Sequence, residues 1–217
     1  MSTLTQEQQD KIAKFISQRH ITKGLGDYDA ACSIASINLA LTNQLTAEIP
    51  ECMSEVIGNW VIVMQDNISD SMRNHPDWKS LLPALIGTGN KYENERLDLI
   101  YTWLWNEVLP EVKPPLLEDK WQNMMEQRTL EAIRELSYGL GKLNIKYSRL
   151  NCQHTDFVTL VDNLAHIGCN KDNAFLELVG SAAVAARAAV LAAKYIDVAA
   201  VVLKPAATLK RLIECKG

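Results

Sequence analysis

The stretch KYENERLDLIYTWLWNEVL, residues 91–109, decides the fold class, because its apolar side chains have the clearest periodicity in the chain. They recur every three or four residues, at Leu97, Ile100, Tyr101, Leu104 and Val108. An α-helix has 3.6 residues per turn, so this spacing places all of them on one helix face. Pro110 ends the segment. The stretch therefore predicts an amphipathic helix that packs against other helices.

The same spacing extends outward to both termini. Thr5 and Gln8 match a capping box at the first helix, which Gly24 and Gly26 end. Further helices are predicted at about 30–41, 50–68, 76–86, 116–138, 155–167 and 172–204, with a short one reaching Leu212. Asp27 or Asp29 is expected to cap the second helix, Pro83 to distort the helix at 76–86, and Gly139 and Gly141 to end the helix at 116–138. No Asn-Gly or Asp-Gly dipeptide and no alternating apolar run is present. Strand content is therefore expected to be negligible.

These elements predict an all-α fold: a multi-helix, orthogonal or bundle-like single domain over residues 1–217, with a long alanine-rich helix towards the C-terminus. A chain of this size buries roughly 70% of its surface on folding, which suffices without disulfides or metal. The proline-containing linker at 110–115 is the best candidate boundary. It would give sub-halves 1–110 and 116–217 that pack together.

Charge and cysteine content narrow the class of protein. The net charge of −4 lacks the basic excess of a nucleic-acid module. Five cysteines without a C-x-x-C spacing are typical of free thiols in a reducing compartment. The polar start, Met1 to Gln9, lacks a signal peptide, and charges at Arg187, Lys194 and Asp197 oppose membrane insertion of the alanine-rich segment. A cytoplasmic protein without membrane association is expected.

The alanine-rich helix carries a weak heptad. Val184, Leu191 and Val198 recur every seven residues, and Ala188, Tyr195 and Val202 form a second stripe. Such a helix is either the centre of the bundle or an interface to a partner or to a second copy. Arg187 and Lys194 would lie at the solvent-exposed edge of either arrangement. The interface candidates, taken from the two stripes and this edge, are Val184, Arg187, Leu191, Lys194 and Tyr195.

Five tryptophans lie between positions 60 and 121. Trp103 and Trp105 cannot both face the core, because helix residues two apart point in different directions. At least one of them, together with Trp78, is a candidate exposed anchor for a protein partner, since tryptophan is enriched at binding hot spots. Core packing is the alternative explanation for the set.

One basic cluster is compact enough to bind an anion or RNA. It consists of Lys142, Lys146 and Arg149, with Tyr147 among them. A solvated helix face is the competing explanation. The quartet Cys152, His154, His166 and Cys169 does not predict a metal site, because twelve helical residues would hold the two histidines about 18 Å apart. No metal, cofactor or catalytic residue is predicted.

Three stretches resemble a helical protein family that occurs in bacterial, prophage and phage genomes and has no established activity. They are ACSIASINLALT at 31–42, EIPECMSEVIGNW at 48–60, and the series MRN 72–74, WKSLLP 78–83 and GTG 87–89. The resemblance covers roughly residues 24–105, together with the alanine-rich helix. It implies an accessory protein of a mobile element and carries over no catalytic residue.

The sequence thus favours a non-enzymatic helical protein that binds and modulates a host protein, or one that forms a homodimer. It leaves two alternatives open. One is an enzyme whose site assembles only in the fold, from histidines and the carboxylates at 107–119. The other is an RNA or anion binder through the 142–149 cluster.

Overall fold

The computed structural model describes residues 5–146, 152–169, 175–196 and 204–215. Helices dominate these ranges, and the only strands within them have two residues each, which confirms the predicted all-α, multi-helix fold class. The elements in chain order are α1 Gln6–Gln18, β1 His20–Ile21, β2 Ala30–Ala31, α2 Ser33–Thr42, α3 Glu55–Asn67, α4 Asp70–Arg73, α5 Pro76–Lys79, α6 Glu93–Trp103, α7 Glu118–Gln127, α8 Leu130–Lys146, α9 Cys152–Cys169, α10 Phe175–Ala193 and α11 Pro205–Glu214.

The described residues form two compact units. Unit 1 lies within Met1–Leu99 and Lys204–Gly217, and unit 2 lies within Ile100–Leu203. This division differs from the sub-halves 1–110 and 116–217, because the C-terminal helix α11 packs against α3 and α5 of unit 1. The predicted single domain over 1–217 stays a prediction.

Side-chain caps set several helix starts in unit 1. Thr5 and Gln8 form the predicted capping box, and Ser54 and Ser69 cap α3 and α4. The predicted start of the second helix at Asp27 or Asp29 is wrong, because the sulfur of Cys32 accepts the Ala35 N–H and is the actual N-cap. These caps satisfy backbone donors that a helix leaves unpaired in its first turn.

The positions of two more helix boundaries correct the sequence prediction. The third helix was expected from Pro50, but α3 begins at Glu55. The helix expected over 76–86 is interrupted: α5 ends at Lys79, and a 3₁₀ turn follows over Leu82–Leu85, with Pro83 in its first turn. The distortion expected at Pro83 is therefore confirmed, since proline cannot donate the helical hydrogen bond.

Two tryptophans pack in the core of unit 1. The ring centroids of Trp60 and Trp78 lie 6.4 Å apart with an interplanar angle of 32°. Trp78 is 1% exposed, and its indole N–H donates to the hydroxyl of Ser33 at 3.2 Å. Trp78 is therefore a core residue, and its selection as an exposed anchor is wrong. The competing core-packing explanation holds for this side chain.

A buried ion pair within α6 lies against the start of α3 in unit 1. Glu93 and Arg96 have side chains that are 4% and 2% exposed, with 3.5 Å between Oε2 and Nη1. Glu93 Oε2 also accepts the Ser54 hydroxyl at 2.6 Å. The Arg96 guanidinium donates to the carbonyls of Gly89 at 2.6 Å and Thr88 at 3.0 Å. This network fixes the turn before α6, so the segment 87–91 is a helix-stop turn.

Unit 2 departs from the predicted boundaries at three places. The segment after α6 is π-helical over Leu104–Val108 and 3₁₀ over Leu109–Glu111. The helix expected over 116–138 is broken at Arg128, which has a φ of 51°. The break expected at Gly139 and Gly141 is wrong, because α8 runs through both. A Cβ on Gly139 would lie 2.9 Å from Leu117 Cδ1, so this glycine permits a close approach.

The alanine-rich helix is α10, and it ends at Ala193. It packs against α9. Its most deeply buried positions are small: each of Ala182, Ala185, Ala186, Ala188, Ala189 and Ala192 is 0% exposed. Alanine at these positions allows two helix backbones to approach closely. The recurring positions Val198 and Val202 lie outside the described residues, so the heptad itself stays a prediction.

Candidate functional site

The loop between β1 and β2, residues 22–29, is held by a framework of hydrogen bonds. The two strands pair in parallel, with His20 opposite Ala30 and Ile21 opposite Ala31. The side chain of Asn74 clamps β1: its Oδ1 accepts the Ile21 N–H at 2.8 Å and its Nδ2 donates to the Ile21 carbonyl at 2.9 Å. The side-chain amide of Asn74 thus makes the two hydrogen bonds to Ile21 that a neighbouring strand would make. Both ends of the 22–29 loop are thereby anchored in unit 1.

Further hydrogen bonds order the interior of the loop. The Gly24 N–H donates to the Asp66 carboxylate at 2.9 Å, and the Cys32 N–H donates to the Leu25 carbonyl at 3.1 Å. The Asp27 N–H donates to the Ala30 carbonyl at 2.8 Å. Gly24 and Gly26 have φ values of 67° and 78°, a region that glycine enters without steric cost. The loop therefore has one defined backbone path.

Two large apolar side chains project from this ordered backbone into solvent. Leu25 is 44% exposed and Tyr28 is 62% exposed. Among the described residues, the one other large hydrophobic with comparable exposure is Tyr138, at 67%, in unit 2. A contiguous exposed apolar patch marks a contact surface, and Leu25 and Tyr28, three positions apart on a fixed loop, are a candidate for one. The 22–29 loop is the candidate functional site.

The carboxylate of Asp27 stabilises the far end of the loop. Its Oδ1 accepts the N–H groups of Ala30 at 2.8 Å and Asp29 at 2.9 Å. These backbone hydrogen bonds hold the pKa of Asp27 below its ordinary value, and the positive charge of Arg19 acts in the same direction. Asp27 is therefore ionised at neutral pH and acts as an Asx-turn residue.

The ordering of the loop should depend on acid pH. A lowered pKa in the folded state means that the carboxylate contributes stability above pH 3.8 and loses it as the pH falls below that value. We expect the hydrogen-exchange protection of the Ala30 amide to fall in that range. The Asp27→Asn variant keeps an acceptor oxygen that does not titrate, so its protection should stay constant. NMR exchange measurements on both proteins test this, and equal profiles would contradict it.

The two tryptophan candidates in the 103–105 segment differ in solvent exposure. Trp103 is 0% exposed, whereas Trp105 is half-buried. The expectation that these two do not both face the core agrees with this difference. Trp105 remains a candidate contact side chain, and Trp103 does not.

The interface candidates of the alanine-rich segment fall into two groups, those on one face of α10 and those with partners inside unit 2. Val184 and Leu191 are half-buried and Arg187 is exposed, and their spacing places all three on one face of α10. Lys194 instead forms an ion pair with Asp156 at 2.7 Å. The ring of Tyr195 packs edge-on against Phe157, with centroids 5.5 Å apart. Lys194 and Tyr195 thus have partners within unit 2, while the role of this face in binding stays a prediction.

The basic cluster and the cysteine–histidine quartet give no assembled site in the described part of the chain. The Lys142 ammonium lies 4.4 Å from the centroid of the Tyr138 ring. Tyr147 and Arg149 lie outside the described residues, and so does the side chain of Lys146. His166 is exposed, and no group of three metal-binding side chains is present among the residues described. RNA binding stays a prediction.

Comparisons with protein-family models, curated proteins and solved structures return no match to this chain. Within the ranges that the structure describes, no helix has the length and apolar character to cross a bilayer.

Proposed function

We propose that this protein acts by binding another protein, with Leu25 and Tyr28 of the 22–29 loop as the contact side chains. The observation that carries the proposal is the exposure of these two side chains on a loop whose backbone is fixed by hydrogen bonds. Tyrosine is enriched among the residues that dominate binding energy, because it buries a large area with few rotatable bonds. Protein binding through this loop needs only the two side chains Leu25 and Tyr28.

The fixed backbone supports this proposal energetically. Binding normally orders the contact loop, and this ordering reduces the affinity. Here Asn74, Asp66 and Asp27 have already ordered the 22–29 loop in the free protein. The loop can therefore present Leu25 and Tyr28 with little further loss of conformational entropy.

We propose a bacterial host protein with an apolar pocket as the partner. The resemblance of residues 24–105 to a family of phage and prophage proteins supports this choice, and it agrees with a mobile-element accessory role in the cytoplasm. A second copy of this chain is the alternative partner. Sedimentation velocity distinguishes them, because only self-association makes the mass rise with concentration.

Truncation of the loop side chains should weaken the complex without unfolding the protein. Completing the burial of a part-exposed leucine or tyrosine contributes roughly 1–2 kcal/mol, so Leu25→Ser and Tyr28→Ala should each raise Kd about tenfold. Tyr138→Ala is the matched control, because it removes an exposed tyrosine from unit 2. Its Kd should equal that of the unaltered protein.

The partner needed for this measurement can be identified by site-specific crosslinking. A photoreactive phenylalanine analogue at position 28 should crosslink one bacterial protein, and the same analogue at position 138 should not. The captured protein is then purified, and Kd is measured by titration calorimetry against each variant. If Leu25→Ser, Tyr28→Ala and Tyr138→Ala bind it equally well, the proposed contact is wrong.

A further inference from the structure

A second feature of unit 1 is a cleft between α1 and the segment 74–83, with a volume of about 590 Å³. This volume lies within the usual range for small-molecule sites. We name it the α1–α5 cleft. Its apolar lining comes from Ala13, Pro76 and Pro83, and its cationic groups are Lys14 and Lys79. Among the described residues that line it, none is acidic.

Lys79 is fixed at the wall of this cleft. Its ammonium donates to the carbonyl of Ser17 at 3.2 Å. An ammonium group has three N–H donors, so two remain for another acceptor. Burial lowers the pKa of Lys79, because removal from water disfavours the charged form. No carboxylate among the described residues pairs with Lys79 to offset this cost.

Lys14 adds a second positive charge from α1. Its side chain is exposed, and the described residues provide no ion pair for it. The Ser17 hydroxyl already donates its hydrogen bond to the Lys14 carbonyl at 2.8 Å, so it does not donate to a ligand in the cleft. Two lysines without a counter-charge beside an apolar surface form a site with a defined chemical preference. A ligand there needs a negative charge and a compact apolar group.

We propose that the α1–α5 cleft binds a small organic anion, whose acidic group contacts Lys14 and Lys79 and whose apolar part contacts Ala13, Pro76 and Pro83. No residue of the 22–29 loop lines this cleft, although Asn74, which clamps β1, lies in its wall. The proposal does not depend on the proposed protein-binding role. The anion supplies the counter-charge that the folded chain does not give to Lys79. The two prolines keep the apolar wall rigid, since their rings fix the backbone.

Phenyl phosphate is the probe that tests this proposal, because it joins a dianion to a compact ring. Titration followed by amide chemical shifts should show saturable binding, with shifts at residues 13–17 and 76–80. Inorganic phosphate and phenol, which each lack one half of the ligand, should bind at least about tenfold more weakly. Equal binding of phenol, equal binding of inorganic phosphate or an absence of saturable shifts would each overturn the proposal.

Variants assign the binding to the two lysines. Lys79→Met keeps most of the length of the apolar stem and should raise the Kd for phenyl phosphate about tenfold, because it removes a charge-assisted hydrogen bond. Lys14→Met should raise it by a smaller factor. Lys11→Met is the matched control, since Lys11 is an exposed lysine of α1 that does not line the cleft. A Kd for Lys79→Met equal to that of Lys11→Met would contradict the site, and melting curves verify that each variant is folded.

Discussion

Arg96→Met should lower the free energy of unfolding by about 3–5 kcal/mol, the usual cost of removing one partner of a buried ion pair. The variant leaves the Glu93 carboxylate 4% exposed and without its cation. It also leaves the carbonyls of Thr88 and Gly89 without their guanidinium donors. Urea denaturation followed by circular dichroism measures the loss.

A double variant distinguishes an unpaired charge from a simple loss of packing. In Glu93→Gln/Arg96→Met both charges are absent, so the loss should be clearly smaller than the sum of the two single losses. Glu95→Gln is the matched control, because Glu95 lies in the same helix but is exposed. Its stability should stay within about 0.5 kcal/mol of the unaltered protein. Additive losses in the double variant would contradict the coupling of Glu93 to Arg96.

Gly26→Ala should be the most damaging single change in the 22–29 loop, at about 3 kcal/mol. A Cβ at this position would overlap the carbonyl oxygen of Ala30 and lie 2.6 Å from Thr22 Cγ2. The φ of 78° adds a conformational cost for any residue with a Cβ. Because the clash is with backbone, rotation of a side chain cannot relieve it. The loop must then leave its observed path.

Gly24→Ala is the control for this effect. Gly24 has a φ of 67°, but a Cβ there would have no neighbour within 4 Å. Its substitution should therefore cost only about 1 kcal/mol, from the backbone conformation alone. Gly26→Ala should also lose partner binding, while Gly24→Ala should retain most of it. Equal stability and equal affinity of the two variants would show that the close packing at Gly26 does not maintain the loop.

Much of the helical architecture could be predicted because it depends on local spacing. The periodic face of residues 97–108 and the caps at Thr5, Ser54 and Ser69 are all short-range features. The break at Arg128 was missed because it depends on a positive φ at a residue that has no propensity for it. The continuity of α8 through Gly139 was missed for a related reason: this glycine accommodates Leu117, which lies 22 positions earlier in the chain.

The candidate site was harder to predict than the fold. The prediction that Gly24 and Gly26 end the first helix is wrong, because α1 ends at Gln18 and β1 precedes both glycines. The loop is instead shaped by Asp66 and Asn74, 42 and 53 positions from their partners. No local pattern shows that such distant side chains will fix a loop. Nor does the sequence show that Leu25 and Tyr28 stay exposed while Trp78 is buried.

The central claim is that Leu25 and Tyr28 are the side chains that a protein partner covers. Hydroxyl-radical footprinting with mass spectrometry measures this directly, because it reports the solvent exposure of individual side chains. In the complex, oxidation of Leu25 and Tyr28 should fall strongly, while oxidation of Tyr138 should not change. Unchanged oxidation of Leu25 and Tyr28 in a saturated complex would contradict the account.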